Sequence, residues 1–200
     1  MDEKIAVFVS GKGSNARKIQ EFFEFNLLIH VVLILSEKQN PSLEQWCLEK
    51  EVRFSLIEQG LGSDTEHLHA HCSALGVQWI VLAGYLKKIP EGLIELFPGR
   101  IINLHPALLP KYGGKGMYGD YVHQAVLAAN ERQSGITIHL VNKEYDKGEI
   151  LAQIKINLDN LESLESLRTK IQLLEHLHFS QVIYDYIIKK TTVLDEETTF

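Results

Sequence analysis

The chain has 200 residues, 45% of them hydrophobic, which suits one domain with a sizeable core and excludes a disordered or collagen-like chain. Its 20 Lys and Arg against 26 Asp and Glu give a formal net charge of −6, which disfavours a protein that grips duplex nucleic acid through phosphates. The two cysteines, Cys47 and Cys72, form no metal-like pair or disulfide framework, and such sparse usage suits the cytoplasm. The acidic N-terminus carries too short an apolar run for a signal peptide, and no stretch approaches the roughly 20 apolar residues that span a bilayer.

In chain order, Ile5 to Val9 reads as a buried strand, Gly11 to Ser14 as a loop and Asn15 to Phe25 as a helix. Ile29 to Leu35 is a second apolar strand. Ser42 with Gln45 reads as a capping box for the next helix, and Val52 to Ile57 as a third strand. Ser63 with Glu66 reads as the cap of a helix running to about Leu75. Trp79 to Ala83 and Arg100 to Leu104 are the fourth and fifth strands, with a short helix starting at Pro90 between them. The stretch from His105 to Asp120 is rich in glycine and proline and has no periodicity. A helix from Tyr121 to Asn130 follows. Ile136 to Val141 and Ile150 to Ile156 read as two strands of a hairpin, and Ser163 to Lys189 as a long helix. Residues 191–200 form a polar, acidic tail expected to fray, which leaves 1–190 as a single domain. Alternating strands and helices imply βαβ units: an α/β fold with a mainly parallel twisted sheet, flanking helices and an antiparallel C-terminal extension. Ligands in such sheets sit beyond the carboxyl ends of the strands, which directs attention to the loops after Val9, Ala83 and Leu104.

Three groups of residues could carry chemistry. Ser10-Gly11-Lys12-Gly13-Ser14-Asn15 joins a strand to a helix, where free N–H groups and the helix dipole favour an anion. It lacks both the Walker pattern and a full GxGxxG, so it reads either as a phosphate loop or as a plain turn. Asn103 and His105 stand two apart at the end of a strand and so face the same side. An amide and an imidazole suit a carbonyl turning tetrahedral, although the same pair also serves as structure. Asp146 is either a turn residue before Gly148 or a carboxylate that orients an imidazole and raises its pKa. His67, His69, His71 and Cys72 offer only one pair on a shared helix face, His67 with His71, and read as a solvated face, not a metal site. His139 lies mid-strand and reads as hydrogen-bonded structure, and Trp46 and Trp79 read as core.

Four segments together resemble the phosphoribosylglycinamide formyltransferases. They are Ser10 to Asn15, Val81 to Leu86, Ile102-Asn103-Leu104-His105-Pro106-Ala107-Leu108-Leu109-Pro110-Lys111-Tyr112, and Tyr145-Asp146-Lys147-Gly148. The resemblance runs from about Lys4 to Lys189 and implies a Rossmann-like formyltransferase fold. It implies transfer of a formyl group from 10-formyltetrahydrofolate, as cosubstrate, to the amine of 5′-phosphoribosylglycinamide in de novo purine biosynthesis. It also implies catalytic roles for Asn103, His105 and Asp146, substrate binding by Gly13, Ser14, Asn15 and Glu175, and a cis Leu109-Pro110 bond. Folate-pocket positions fall on Leu86, Lys87, Lys88 and Ile89, again on Asn103, and on Asn142, Lys143, Glu144, Tyr145 and Asp146. No metal, nucleotide cofactor, nucleic acid or membrane is implied; the partners are the two small-molecule substrates. The alternative is a 10-formyltetrahydrofolate hydrolase or another formyltransferase on the same scaffold. The chain departs from the family at Lys12, where a smaller polar residue is common, and in its longer run from Gly113 to Gly119. It also lacks a clear counterpart of the folate-tail arginine.

Overall fold

The run from Ile5 to Val9 has no polar face, so it belongs in a strand covered on both sides. The computed structural model describes the backbone of residues 2–197 and the side chains of residues 2–192. In it this run lies within β1 (Glu3–Val9), an interior strand of a seven-stranded sheet. The elements that follow are α1 (Ser14–Phe23), β2 (Ile29–Ser36), α2 (Pro41–Glu49), β3 (Arg53–Leu56), α3 (Thr65–Ser73) and β4 (Trp79–Leu82). Next come α4 (Glu91–Leu96), β5 (Ile101–His105), α5 (Asp120–Ala128), β6 (Gln133–Leu140), β7 (Ile150–Asn157) and α6 (Leu164–Glu197).

The strand order is β3-β2-β1-β4-β5-β6-β7. The first five are parallel to their neighbours, and β6 and β7 add on antiparallel, as the sequence pattern predicts. The β6–β7 ladder slips once. Ile138 pairs with Ala152 but His139 pairs with Ile150, so Leu151 is an extra residue on β7.

Alternate side chains of β1 feed two cores. Ile5, Val7 and Val9 pack with Ile19 and Phe23 of α1, Leu43 of α2 and Phe179 and Ile183 of α6. Ala6 and Phe8 pack on the other face with Leu68 of α3 and Leu93 of α4. Each fully buried Ile, Leu or Phe stabilises by about 1.5–3 kcal/mol relative to exposure, so this two-sided covering holds the strand ends rigidly. Among the described residues, no helix is long and apolar enough to cross a membrane.

Two of the expected caps move. Asn40, not Ser42, caps α2, its side chain accepting from Leu43 N–H at 3.0 Å; Pro41 fills the first turn, where its missing N–H costs nothing. Asp64, not Ser63, caps α3 by accepting from His67 N–H, and Ser63 instead donates to the Lys88 carbonyl. In both cases a side chain one bond longer, with a planar oxygen, reaches the free N–H from one or two residues away. Helix α6 continues past Lys189 to Glu197; the side chains of 193–200 and the backbone of 198–200, within the tail expected to fray, lie outside the described residues.

Candidate active site

The loop after β1 enters α1 through Gly13, whose φ of 76° is left-handed. A Cβ at Gly13 would stand 2.6 Å from Leu43 Cδ2, so a larger residue would strain the left-handed backbone and push the Leu43 side chain aside. Gly13 is the N-cap and offers no side chain to the first-turn N–H groups of α1. Helix α6 runs alongside. Gln172 Nε2 donates to Ser14 Oγ at 3.4 Å, and Asn15 Nδ2 donates to Glu175 Oε2 at 2.8 Å. Burial pushes the Glu175 carboxyl up, against the opposing Asn15 bond. Asn15 Oδ1 is buried and has no partner among the described residues.

At the end of β5, Asn103 and His105 project from the same face, as their spacing predicts, and the β6–β7 turn brings Asp146 to them. His105 is 3% exposed. Its Nε2 lies 2.7 Å from the Tyr112 carbonyl, which can only accept, so Nε2 carries a proton and Nδ1 faces Asp146 Oδ2 at 3.7 Å. Asp146 Oδ2 also accepts from Gly114 N–H at 2.8 Å. The other oxygen, Oδ1, faces His139 Nε2 at 3.6 Å. Burial raises the Asp146 carboxyl, but the two imidazoles and the Gly114 N–H outweigh it and hold the group below the usual carboxylate range.

One expectation changes sign. Beside Asp146, His105 was expected above its ordinary value, yet burial pushes it below, and the Asp146 charge and Tyr112 carbonyl recover only part of that. The resting imidazole is therefore neutral at pH 7, with Nδ1 as the atom open to a proton.

His139 is the residue that the sequence reading left out of the site. Its Nδ1 lies 2.8 Å from the Leu140 carbonyl and so carries the proton; Nε2 accepts from Asn103 Nδ2 at 3.0 Å. It thereby orients the amide beside the carboxylate and leaves Asn103 one free N–H. The available signal was its place on β6 opposite Asn103, which needs the strand register and cannot be read from spacing along one segment.

These groups open into a cavity of about 760 Å³ beyond the carboxyl ends of the parallel strands. Asn103, His105, His139, Asp146, Asn15 and Glu175 line it, as do Leu86 to Ile89 and Asn142, Glu144 and Tyr145. Gly11 and Asn15 at the start of α1 line it, whereas Gly13 and Ser14 between them do not. Lys143 also lies outside it, its ammonium paired with Glu91 and Glu95 of α4. Lys88 Nζ sits 5.8 Å from the Tyr145 ring centroid, which links the two loops expected to hold a folate. The glycine-rich run from Gly114 to Gly119 forms another wall, and the Leu109-Pro110 bond is cis. His67 and His71 share a face with ring centroids 4.9 Å apart; no group of three or more metal-ligating side chains occurs among the described residues.

The sequence profile of the family described as Formyl transferase matches residues 3–183. The chain belongs to the formyl transferase family. Within that family it is 40% identical over 187 residues to a chloroplastic phosphoribosylglycinamide formyltransferase of Arabidopsis thaliana, covering 90% of this chain and 64% of that one. A relative in Vigna unguiculata is 37% identical, with 60% of its length covered, so the chain spans less than two thirds of these plant proteins. The phosphoribosylglycinamide formyltransferase of Bacillus subtilis is 34% identical over 197 residues, covering 90% of this chain and 93% of that one. The crystal structure of the Bacillus halodurans phosphoribosylglycinamide formyltransferase superposes with a TM-score of 0.82 at 27% identity, covering 92% of this chain and 95% of that one. The sheet order and antiparallel extension are thus those of a formyltransferase.

Proposed function

We propose that this family member transfers a formyl group from 10-formyltetrahydrofolate to the amine of 5′-phosphoribosylglycinamide, within de novo purine biosynthesis. The observation that carries the reading is the meeting of Asn103, His105 and Asp146 in one cavity that Gly11 and Asn15, at the start of α1, also line. The names borne by relatives at 34% and 40% identity support the choice of acceptor.

In this reading the substrate phosphate enters between Gly11 and Asn15, which line the cavity, and takes the free N–H groups of the turn at Gly13, Ser14 and Asn15, while Glu175 accepts from a ribose hydroxyl. The folate lies between Leu86–Ile89 and Asn142–Asp146. The amine attacks the formyl carbon, the carbonyl electrons move to oxygen, and a tetrahedral intermediate forms. Its oxygen takes the free N–H of Asn103 and a proton-bearing Nδ1 of His105. Burial holds the resting His105 neutral, and the arriving negative charge reverses that preference, so Nδ1 takes up a proton from solvent water and gives it back when the intermediate collapses, and the interaction strengthens as the transition state is reached. Asp146 orients the imidazolium and receives the amine proton through water. That proton passes to N10 as the carbon–N10 bond breaks, leaving formylated product and tetrahydrofolate. No metal takes part, the partners are the two small molecules, and the compartment is the cytoplasm.

The deciding measurement is tetrahydrofolate release by the purified chain with and without phosphoribosylglycinamide. Release that depends on the amine and matches formylated product is expected. Equal release without the amine would make water the acceptor and reject the proposal.

A further inference from the structure

Three loops beyond the carboxyl ends of β1, β2 and β4 meet at one hydroxyl that does not line the cavity. Ser10, 4% exposed, follows β1 directly and precedes the loop that reaches α1. Its N–H donates to the Gly84 carbonyl at 3.1 Å, and its Oγ accepts from Leu86 N–H at 2.9 Å. The hydroxyl proton goes to Glu37 Oε2 at 2.5 Å, in the loop after β2. Glu37 N–H in turn donates to the Val9 carbonyl at 3.1 Å, and its Oε1 faces Lys87 Nζ at 3.7 Å. The Glu37 side chain is 13% exposed.

A serine hydroxyl has one proton to give, whereas an ionised carboxylate only accepts. Glu37 therefore fixes the polarity of Ser10: the proton turns to the carboxylate and a lone pair is left for Leu86 N–H. Such charge-assisted bonds are shorter and about twice as strong as neutral ones. Leu86, Lys87 and Lys88 are themselves largely exposed, so packing does little to hold this stretch of the cavity wall. We propose that Ser10 and Glu37 are positioning residues that clamp the folate-side loop, Leu86 to Ile89, in its binding conformation. Neither touches a substrate. The assignment of that loop to folate rests on the proposed function.

The test compares wild type with Ser10→Ala, Glu37→Ala, Glu37→Gln and the double alanine variant. Calorimetry gives the Kd of tetrahydrofolate, and steady-state rates give kcat and both KM values. Loss of either end of the clamp is expected to raise the tetrahydrofolate Kd and the formyl-donor KM about tenfold, the scale of a lost charge-assisted bond. The KM for phosphoribosylglycinamide and kcat should stay within about threefold of wild type. Glu37→Gln, which keeps one oxygen for Ser10, should fall between. The double variant should be no worse than either single, because both remove one link. Folate affinity within twofold of wild type in both alanine variants overturns the proposal. So does a lowered Tm with reduced kcat and unchanged KM values, which marks a lost folded fraction. A wild-type chain that binds tetrahydrofolate but transfers no formyl group rejects the proposed reaction and leaves the Kd comparison to judge the clamp. One that binds no folate overturns both.

Discussion

Asp146 reaches its partners with φ at 54°, a left-handed backbone that few residues other than glycine, asparagine and aspartate adopt. Both readings of Asp146 open in the sequence hold at once: it sits in a turn, and its carboxylate faces two imidazoles. Asp146→Asn keeps size and turn preference but removes the charge that orients His105. Turnover at saturating substrates should fall on the order of 10²-fold, with KM values little changed, because the loss falls mainly on the transition state. Near-normal turnover in a well-folded variant would remove Asp146 from the reaction. At this scale the sequence shows Asn103, His105 and Asp146 but hides His139, whose role comes from facing Asn103 across 36 positions. It also misjudges His105, since burial cannot be weighed against a neighbouring charge before the fold is known.

Elements are legible wherever apolar periodicity is strong. All seven strands overlap the ranges read from the chain: β3 and β4 fall inside them, and the other five run past one end by a few residues. Helix starts are less legible because several capable side chains sit side by side, as at Asn40 and Ser42 or Ser63 and Asp64, and only geometry decides which one caps. The β6–β7 turn depends on Gly148, where a Cβ would stand 1.7 Å from the Leu140 carbonyl oxygen. Gly148→Ala should therefore destabilise the protein by about 3 kcal/mol or more and displace Asp146. Gly11 has no atom within 4 Å of a built Cβ and no positive φ, so Gly11→Ala should leave stability near wild type. Denaturant midpoints of the two variants check both statements; equal midpoints would contradict the packing argument.

Across the whole molecule, His71, His105, His123 and His176 are each held below 6.5, in every case chiefly by burial. As pH falls below about 6.5 the unfolded chain takes up protons at these sites before the folded chain does, so stability is lost. Glu175 works in the other direction: its raised value means that the folded chain gains the proton first, which stabilises on acidification. His105 and His123 are the more deeply buried of the four, and together the histidines outweigh the single carboxyl. Tm should fall by roughly 2–6 °C between pH 7 and pH 5.5. A flat or rising Tm in scanning calorimetry over that window would contradict the balance. The parallel order of the first five strands is readable from βα alternation, whereas the cavity depends on loops that have no periodicity and take their shape from contacts across the molecule.

The extra residue on β7 gives the hairpin a phase. With Leu151 present, the ladder counts one residue more on the return strand than on the outgoing one, and the turn closes with His139 opposite Ile150. Deleting Leu151 would even the count. The ladder would then run through regularly with His139 still opposite Ile150, and the bend and added twist that the extra residue gives the strand beside the turn that carries Asp146 would be lost. Such a protein should keep its strand content by circular dichroism and lose most of its turnover, because the turn would leave the sheet at a different angle and carry the Asp146 carboxylate away from the imidazoles. Retained turnover in the shortened hairpin would mean that the turn holds Asp146 in place without the bulge.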